Sequence, residues 1–290
     1  MTKAVSVRLH ILMFCYIFSF YVSKFPASMV IVLPLFLFIC ADKKYLSAFL
    51  NVWGSPYIVR CFLAQLFVIA VATAFPLVFL TVDFSLVSLL ITQTMHFVCA
   101  SFFFAFLDYH KISFDEVCEV FVNIFVLQSF IECAAFINPN TLGAFVRKFN
   151  RFQDELVGPG AKVRGFALSA ATTYHLSLIY GMAGIIYVKQ LIDMKKIQLW
   201  AIIKGLAIFI GIFFAGRTGF VGVGIAVLYF IMSLKVSFPK KIVFLQKLSI
   251  IITVIIVFFL SFAPKNIRSL VTEQVIPYAF EFVYSKLDSG

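Results

Sequence analysis

The sequence predicts an all-α, polytopic membrane protein with about nine transmembrane helices, and three observations carry that prediction. Of the 290 residues, 62% are hydrophobic and only 13% are charged, too few charges to cover a water-facing surface. Apolar runs recur from one end of the chain to the other. In a bilayer each backbone segment must satisfy its own hydrogen bonds, which leaves helices or closed barrels. The runs do not alternate polar with apolar as barrel strands do, so the spans are helical. The whole chain, 1–290, reads as one polytopic domain.

Met1 to Arg8 carries Lys3 and Arg8 and no acid, which favours a cytoplasmic N-terminus. No cleavable signal pattern follows, so the run after Arg8 is a first span. Spans one and two are expected at about Leu9–Ser23 and Ala27–Ala41, joined by a turn at Lys24-Phe25-Pro26. A loop from Asp42 to Arg60 follows, with Trp53 and Tyr57 at the interface. Span three covers about Cys61–Val82, where Pro76 introduces a kink. Span four is about Ser85–Leu107, and span five starts after Asp115 and Glu116 and ends near Ile137. Span six is expected at Gly165–Val188 and span seven at Ile197–Ala215. Span eight is expected at Phe220–Leu234, with Gly219, Gly222 and Gly224 allowing close helix approach. Span nine is Leu248–Ala263, and residues 264–290 form a polar, amphipathic tail. The six cysteines lie within or at the ends of apolar runs at no metal-ligand spacing, so they read as small apolar core residues, and no metal site or cofactor is expected.

This arrangement puts the loop 138–165 and the tail on the outer side. With those two regions set aside, the outer side keeps only Lys24 and Arg217, as the positive-inside rule requires. The loop breaks the rule. It holds Arg147, Lys148, Arg151, Lys162 and Arg164 against Asp154 and Glu155. Cations moved outward against the insertion bias need an anion to meet. Two readings fit: contact with anionic lipid headgroups, or a binding site for a phosphorylated substrate on the outer face. The pair Asp154 and Glu155 fits local ion pairing within the loop. No Walker loop, dinucleotide fingerprint or nucleic-acid module is present.

Two short stretches sharpen the second reading. Span six opens on Arg164-Gly165-Phe166-Ala167-Leu168 and continues through Ala171-Thr172-Thr173-Tyr174-His175. Arg217 stands in Ala215-Gly216-Arg217-Thr218-Gly219-Phe220, where flanking glycines let the backbone bend tightly around a planar guanidinium suited to bidentate phosphate contact. An arginine at a span edge also fits a snorkelling anchor, a role that lysine fills equally well. With one cytoplasmic turn between them, these two stretches resemble the bacterial O-antigen polymerases, within the wider group that includes the O-antigen ligases. By motif the resemblance covers roughly residues 120–235, and by span pattern the whole chain.

The resemblance implies an enzyme of the bacterial inner membrane, a glycosyltransferase of surface polysaccharide and lipopolysaccharide biosynthesis. It would join oligosaccharide repeat units, each carried on undecaprenyl pyrophosphate, at the periplasmic face, with a chain-length regulator protein of the same pathway as a partner beside the membrane lipids. The acceptor hydroxyl attacks C1 of the donor sugar, the bond from C1 to the pyrophosphate breaks, and the hydroxyl proton passes to a base. The protein must therefore hold and neutralise the leaving pyrophosphate and supply that base. Carried over by position, Arg164 and Arg217 become the pyrophosphate clamps. Arg147, Arg151 and Lys162 are substrate-binding candidates on the same loop. Glu132, an acid near the outer end of span five, and His175, about three turns below Arg164, are the base candidates. A buried histidine bonded to a neighbouring helix is the alternative for His175, and His96, mid-span four with Gln93, reads as packing. The resemblance also makes residues 264–290 the start of a second large periplasmic loop and the chain short for the family. A ligase transferring glycan to lipid A-core shares the arginine logic. A flippase or other transporter would place charges along a path at the membrane midplane.

Overall fold

A computed structural model describes residues 2–22, 25–78, 85–149, 167–169, 173–194, 198–216 and 218–233, together with the single positions 243, 246 and 250. Among the described residues the fold is all-α apart from one two-residue strand pair. Among the described residues four helices are long and apolar enough to cross a membrane: Pro56–Val78, Leu86–Tyr109, Phe114–Ile137 and His175–Asp193. Apart from Ile250, the expected span nine and the tail lie outside the described residues. The chain divides between Val120 and Phe121 into two compact units.

The first unit contains α1 (Lys3–Phe18), α2 (Ala27–Ala41), α3 (Lys43–Trp53), α4 (Pro56–Val78) and α5 (Ser85–Tyr109). Between α1 and α2, β1 (Tyr21–Val22) pairs antiparallel with β2 (Phe25–Pro26), Tyr21 opposite Pro26. The connection is tied by the Ser19 and Ser28 hydroxyls, 2.6 Å apart. Helix α2 spans 15 residues, or roughly 22 Å at 1.5 Å per residue, less than a full hydrocarbon core.

The interval expected as a loop after Asp42 is in fact helical. Asp42 caps α3 by accepting from the Lys44 N–H at 2.8 Å. Tyr45 and Ala48 point inward at helical spacing. The Tyr45 hydroxyl donates to the Phe102 carbonyl at 2.9 Å, and Trp53 donates from its indole to Ser101 at 3.0 Å. Trp53 is therefore tied to α5, with Phe62 edge-on to it at 5.0 Å and Phe49 stacked on Phe102 at 5.0 Å. Tyr57, by contrast, is largely exposed. His96 bonds within its own helix, to the Thr92 carbonyl at 2.8 Å, and its backbone carbonyl accepts from Tyr16 at 3.0 Å.

The second unit begins inside α6 (Phe114–Ile137). A π-helical turn (Pro139–Gly143) and the short α7 (Ala144–Arg147) follow, so the start of the basic loop is helical. Then come α8 (Thr173–Asp193), α9 (Leu199–Ala215) and α10 (Gly219–Ser233). On α6 the residues Phe125, Gln128, Ser129, Glu132 and Ala135 are all buried, a stripe at spacings of three and four. On α8 the corresponding stripe is Ser177, Tyr180, Ala183 and Tyr187. Small residues let the backbones approach. A Cβ at Gly222 would overlap the backbone of Gly181, and a Cβ at Gly211 would overlap the Ser129 hydroxyl and the Tyr180 ring. At the other end of the unit, Lys204 donates to the Asn123 side chain at 2.7 Å, and the Tyr187 hydroxyl donates to the Ala201 carbonyl.

Candidate functional site

One end of the second unit gathers the described parts of the predicted site. The end of α6 meets the end of α9 through the rings of Phe136 and Phe214, 5.0 Å apart. Leu168, four residues after Arg164, packs against Ala135 of α6 and Val146 of α7. The turn between α9 and α10 is held against the start of α8 by Ser177. Its hydroxyl donates to the Gly216 carbonyl and accepts from the Gly219 N–H at 2.6 Å. Gly216 ends α9 at φ 152°, a backbone conformation that a side chain would strain. The residues before and after Arg217 are thus fixed at the end where α6 leads into α7 and where α8 begins.

The predicted residues divide into three groups. Arg147 is the last residue of α7 and is half-buried at this end. Arg151, Lys162, Arg164 and Arg217 lie outside the described residues. Glu132 and His175 have contrasting settings. Residues 167–169 are non-helical, and the helix expected from Gly165 is described only from Thr173. His175 is therefore in the first turn of α8, and its side chain is exposed. That corrects two expectations, a position three turns deep and burial against a neighbouring helix. The cause is that hydropathy counts the apolar approach to a helix as part of it.

Glu132 is fully buried, as its apolar surroundings suggest. It accepts a hydrogen bond from the Tyr180 hydroxyl at 3.2 Å. That hydroxyl also lies 3.1 Å from the Ser129 hydroxyl, which donates to the Phe125 carbonyl at 2.9 Å. Gln128, one turn before Glu132, is buried beside this group without a hydrogen bond to either amide atom among the described residues. The second Glu132 oxygen is in the same position. A buried carboxyl beside an amide and two hydroxyls is costly to maintain inside a membrane unless it contributes structure or chemistry. Ser129, Tyr180, Gln128 and Ser177 were not singled out from sequence. The i, i+4 spacing of Gln128 and Glu132 was legible, but the pairing with Tyr180, 48 residues away, had no local signal. Comparison with known protein families, with characterised proteins and with solved structures returned no match.

Proposed function

We propose that the chain is a glycan polymerase of the bacterial inner membrane, joining undecaprenyl-pyrophosphate-linked oligosaccharides at the periplasmic face. In this reading about nine spans cross the membrane, with the N-terminus cytoplasmic and the end of the second unit that carries α7 outward. One observation supports it above the rest: Ser177 fastens both glycines flanking Arg217 to α8, beside the α6–α7 end of the unit. A rigid backbone on either side of an arginine is what a preorganised pyrophosphate clamp requires, because little reorganisation is left at the moment of reaction. Arg217 and Arg164 hold the leaving pyrophosphate, while Arg147, Arg151 and Lys162 draw the lipid-linked substrates to the face.

The test is deletion of the gene, with the surface glycan of the host resolved on a gel. Loss of the ladder with a core-plus-one-unit band remaining is the expected result. Core alone, with long lipid-linked glycan accumulating outside, would make the protein a ligase, and units trapped on the inner face would make it a flippase. Complementation with Arg164→Lys or Arg217→Lys keeps the charge and removes the planar fork. Both variants should insert normally and give shortened glycan. Full-length ladders from both would overturn the clamp.

A further inference from the structure

The buried polar group shared by α6 and α8 lacks hydrogens. Gln128, Glu132 and Tyr180 are fully buried, and Ser129 nearly so. Both hydroxyl hydrogens of the group are already committed. Ser129 Oγ donates to the Phe125 carbonyl at 2.9 Å, and Tyr180 Oη donates to Glu132 Oε2 at 3.2 Å. Gln128 Oε1, Gln128 Nε2 and Glu132 Oε1 are left without a hydrogen bond among the described residues. Gln128 and Glu132 stand one turn apart on the buried stripe of α6. The Gln128 side chain acts on the Glu132 carboxyl, although neither of its amide atoms completes a hydrogen bond there.

The chemistry of these three atoms selects what can serve them. Two are acceptors and one is a donor. Closing the Gln128 amide onto Glu132 would serve Nε2 and Glu132 Oε1, and would leave Gln128 Oε1 without a hydrogen. A proton on Glu132 could serve Gln128 Oε1, and would leave Nε2 without an acceptor. A bare cation suits the two oxygens and is repelled by the amide N–H, while an anion has the opposite fault. Lys204 of α9 is held by Asn123 at 2.7 Å, roughly 13 Å along α6 from Glu132. Water both donates and accepts, and about two to four polar partners hold it in a protein interior.

We infer that this cluster binds internal water, held by Gln128 and Glu132 inside the second unit. The Tyr180 side of the cluster is closed, which keeps the occupant small. The Phe125 ring stands edge-on to Tyr180 at 4.7 Å, and a Cβ at Gly211 would overlap the Ser129 hydroxyl and the Tyr180 ring. Water there gives the Glu132 carboxyl, too deeply buried to touch a substrate, a partner for proton exchange. The site does not depend on what the outer face joins.

The test is X-ray radiolytic labelling of the purified full-length protein in phosphatidylcholine nanodiscs, read by mass spectrometry. Bound water is split in place, and the hydroxyl radical oxidises the side chains beside it. Tyr180 or Phe125 should be oxidised although both are fully buried. Gln128→Met keeps the length of the side chain and removes both amide atoms. It should cut that labelling by about tenfold, the scale of one lost hydrogen bond. Glu132→Gln still offers an acceptor and should keep most of it. Exposed Tyr57 should be labelled equally in all three proteins. Unfolding would raise labelling at Tyr180, so it cannot imitate the expected fall. No oxidation of Tyr180 or Phe125 in the parent protein would overturn the site whatever the variants do, as would undiminished labelling in Gln128→Met. A melting temperature of the parent that rises when sodium replaces choline at constant ionic strength would put a cation in the cluster and also overturn it.

Discussion

The hydroxyl of Ser177 accepts a hydrogen bond from the backbone N–H of Gly219 at 2.6 Å and donates to the Gly216 carbonyl, clasping the Arg217 turn from both sides. Removing it leaves two buried backbone groups poorly served, each worth about 1–3 kcal/mol. Ser177→Ala should therefore lower thermal stability in detergent by a few kcal/mol and shorten the glycan, although the arginine itself is untouched. Unchanged melting and unchanged glycan would show that the clasp contributes little.

Glycine positions in the second unit should separate sharply. Gly211→Ala forces a methyl into the Ser129 hydroxyl and the Tyr180 ring and should cost about 1–3 kcal/mol. Gly224 faces open space, so Gly224→Ala should be neutral or stabilising by up to about 1 kcal/mol. Melting curves of the two variants side by side decide the point. Equal effects would contradict the close packing of α6, α8 and α9.

Tyr180→Phe removes the hydroxyl that sits between Ser129 and Glu132 and should destabilise by about 1–3 kcal/mol. Glu132→Gln keeps the volume and an acceptor for Tyr180, so it should fold with nearly unchanged stability and leave glycan length intact. A folded Gln variant that makes no glycan would instead identify Glu132 as the proton acceptor of the reaction.

The Asp42 cap predicts a pH dependence with a definite sign. Its carboxyl is held below the usual range, principally by the Lys44 N–H and then by Tyr109, so the charged form is favoured in the folded state. The stabilisation is fully present above the ordinary carboxylate value of about 3.9 and is lost as pH falls through the lower folded value. Asp42→Asn should melt earlier than the parent at neutral pH, and the two curves should converge in acid. A gap that persists at the lowest pH would mean that shape, rather than charge, makes the cap.

Helices whose ends coincide with a change from apolar to charged residues were legible in sequence. A helix is observed at Ala27–Ala41, the bounds expected for span two, and α5, α6, α9 and α10 each lie within about three residues of the expected ends. Helix α3 was missed because Lys43 and Lys44 made the interval look like a loop. The signal was present in the inward spacing of Tyr45, Ala48 and Phe49 after a capping aspartate. Span six was started too early because the stretch through Ala167 and Leu168 is apolar without being helical. At the candidate site, Glu132 stood out because an acid among apolar residues is costly wherever it points. Its partner Tyr180 did not, because tyrosine is ordinary in a membrane helix and the bond between them is made only by tertiary packing.

The seam between Gly181 and Gly222 bears on how the turn between α9 and α10 can behave. Where two backbones touch, no side chains lie between them to act as bearings, so α8 and α10 cannot slide past each other without losing contact along their length. With Ser177 closing the end of that seam, Gly216 and Gly219 cannot swing away as a hinged flap. They travel only as part of the α8–α10 pair. On the proposed reading a substrate phosphate would meet a fixed edge, and specificity there would be set by the shape of what arrives, with no closing motion to refine it.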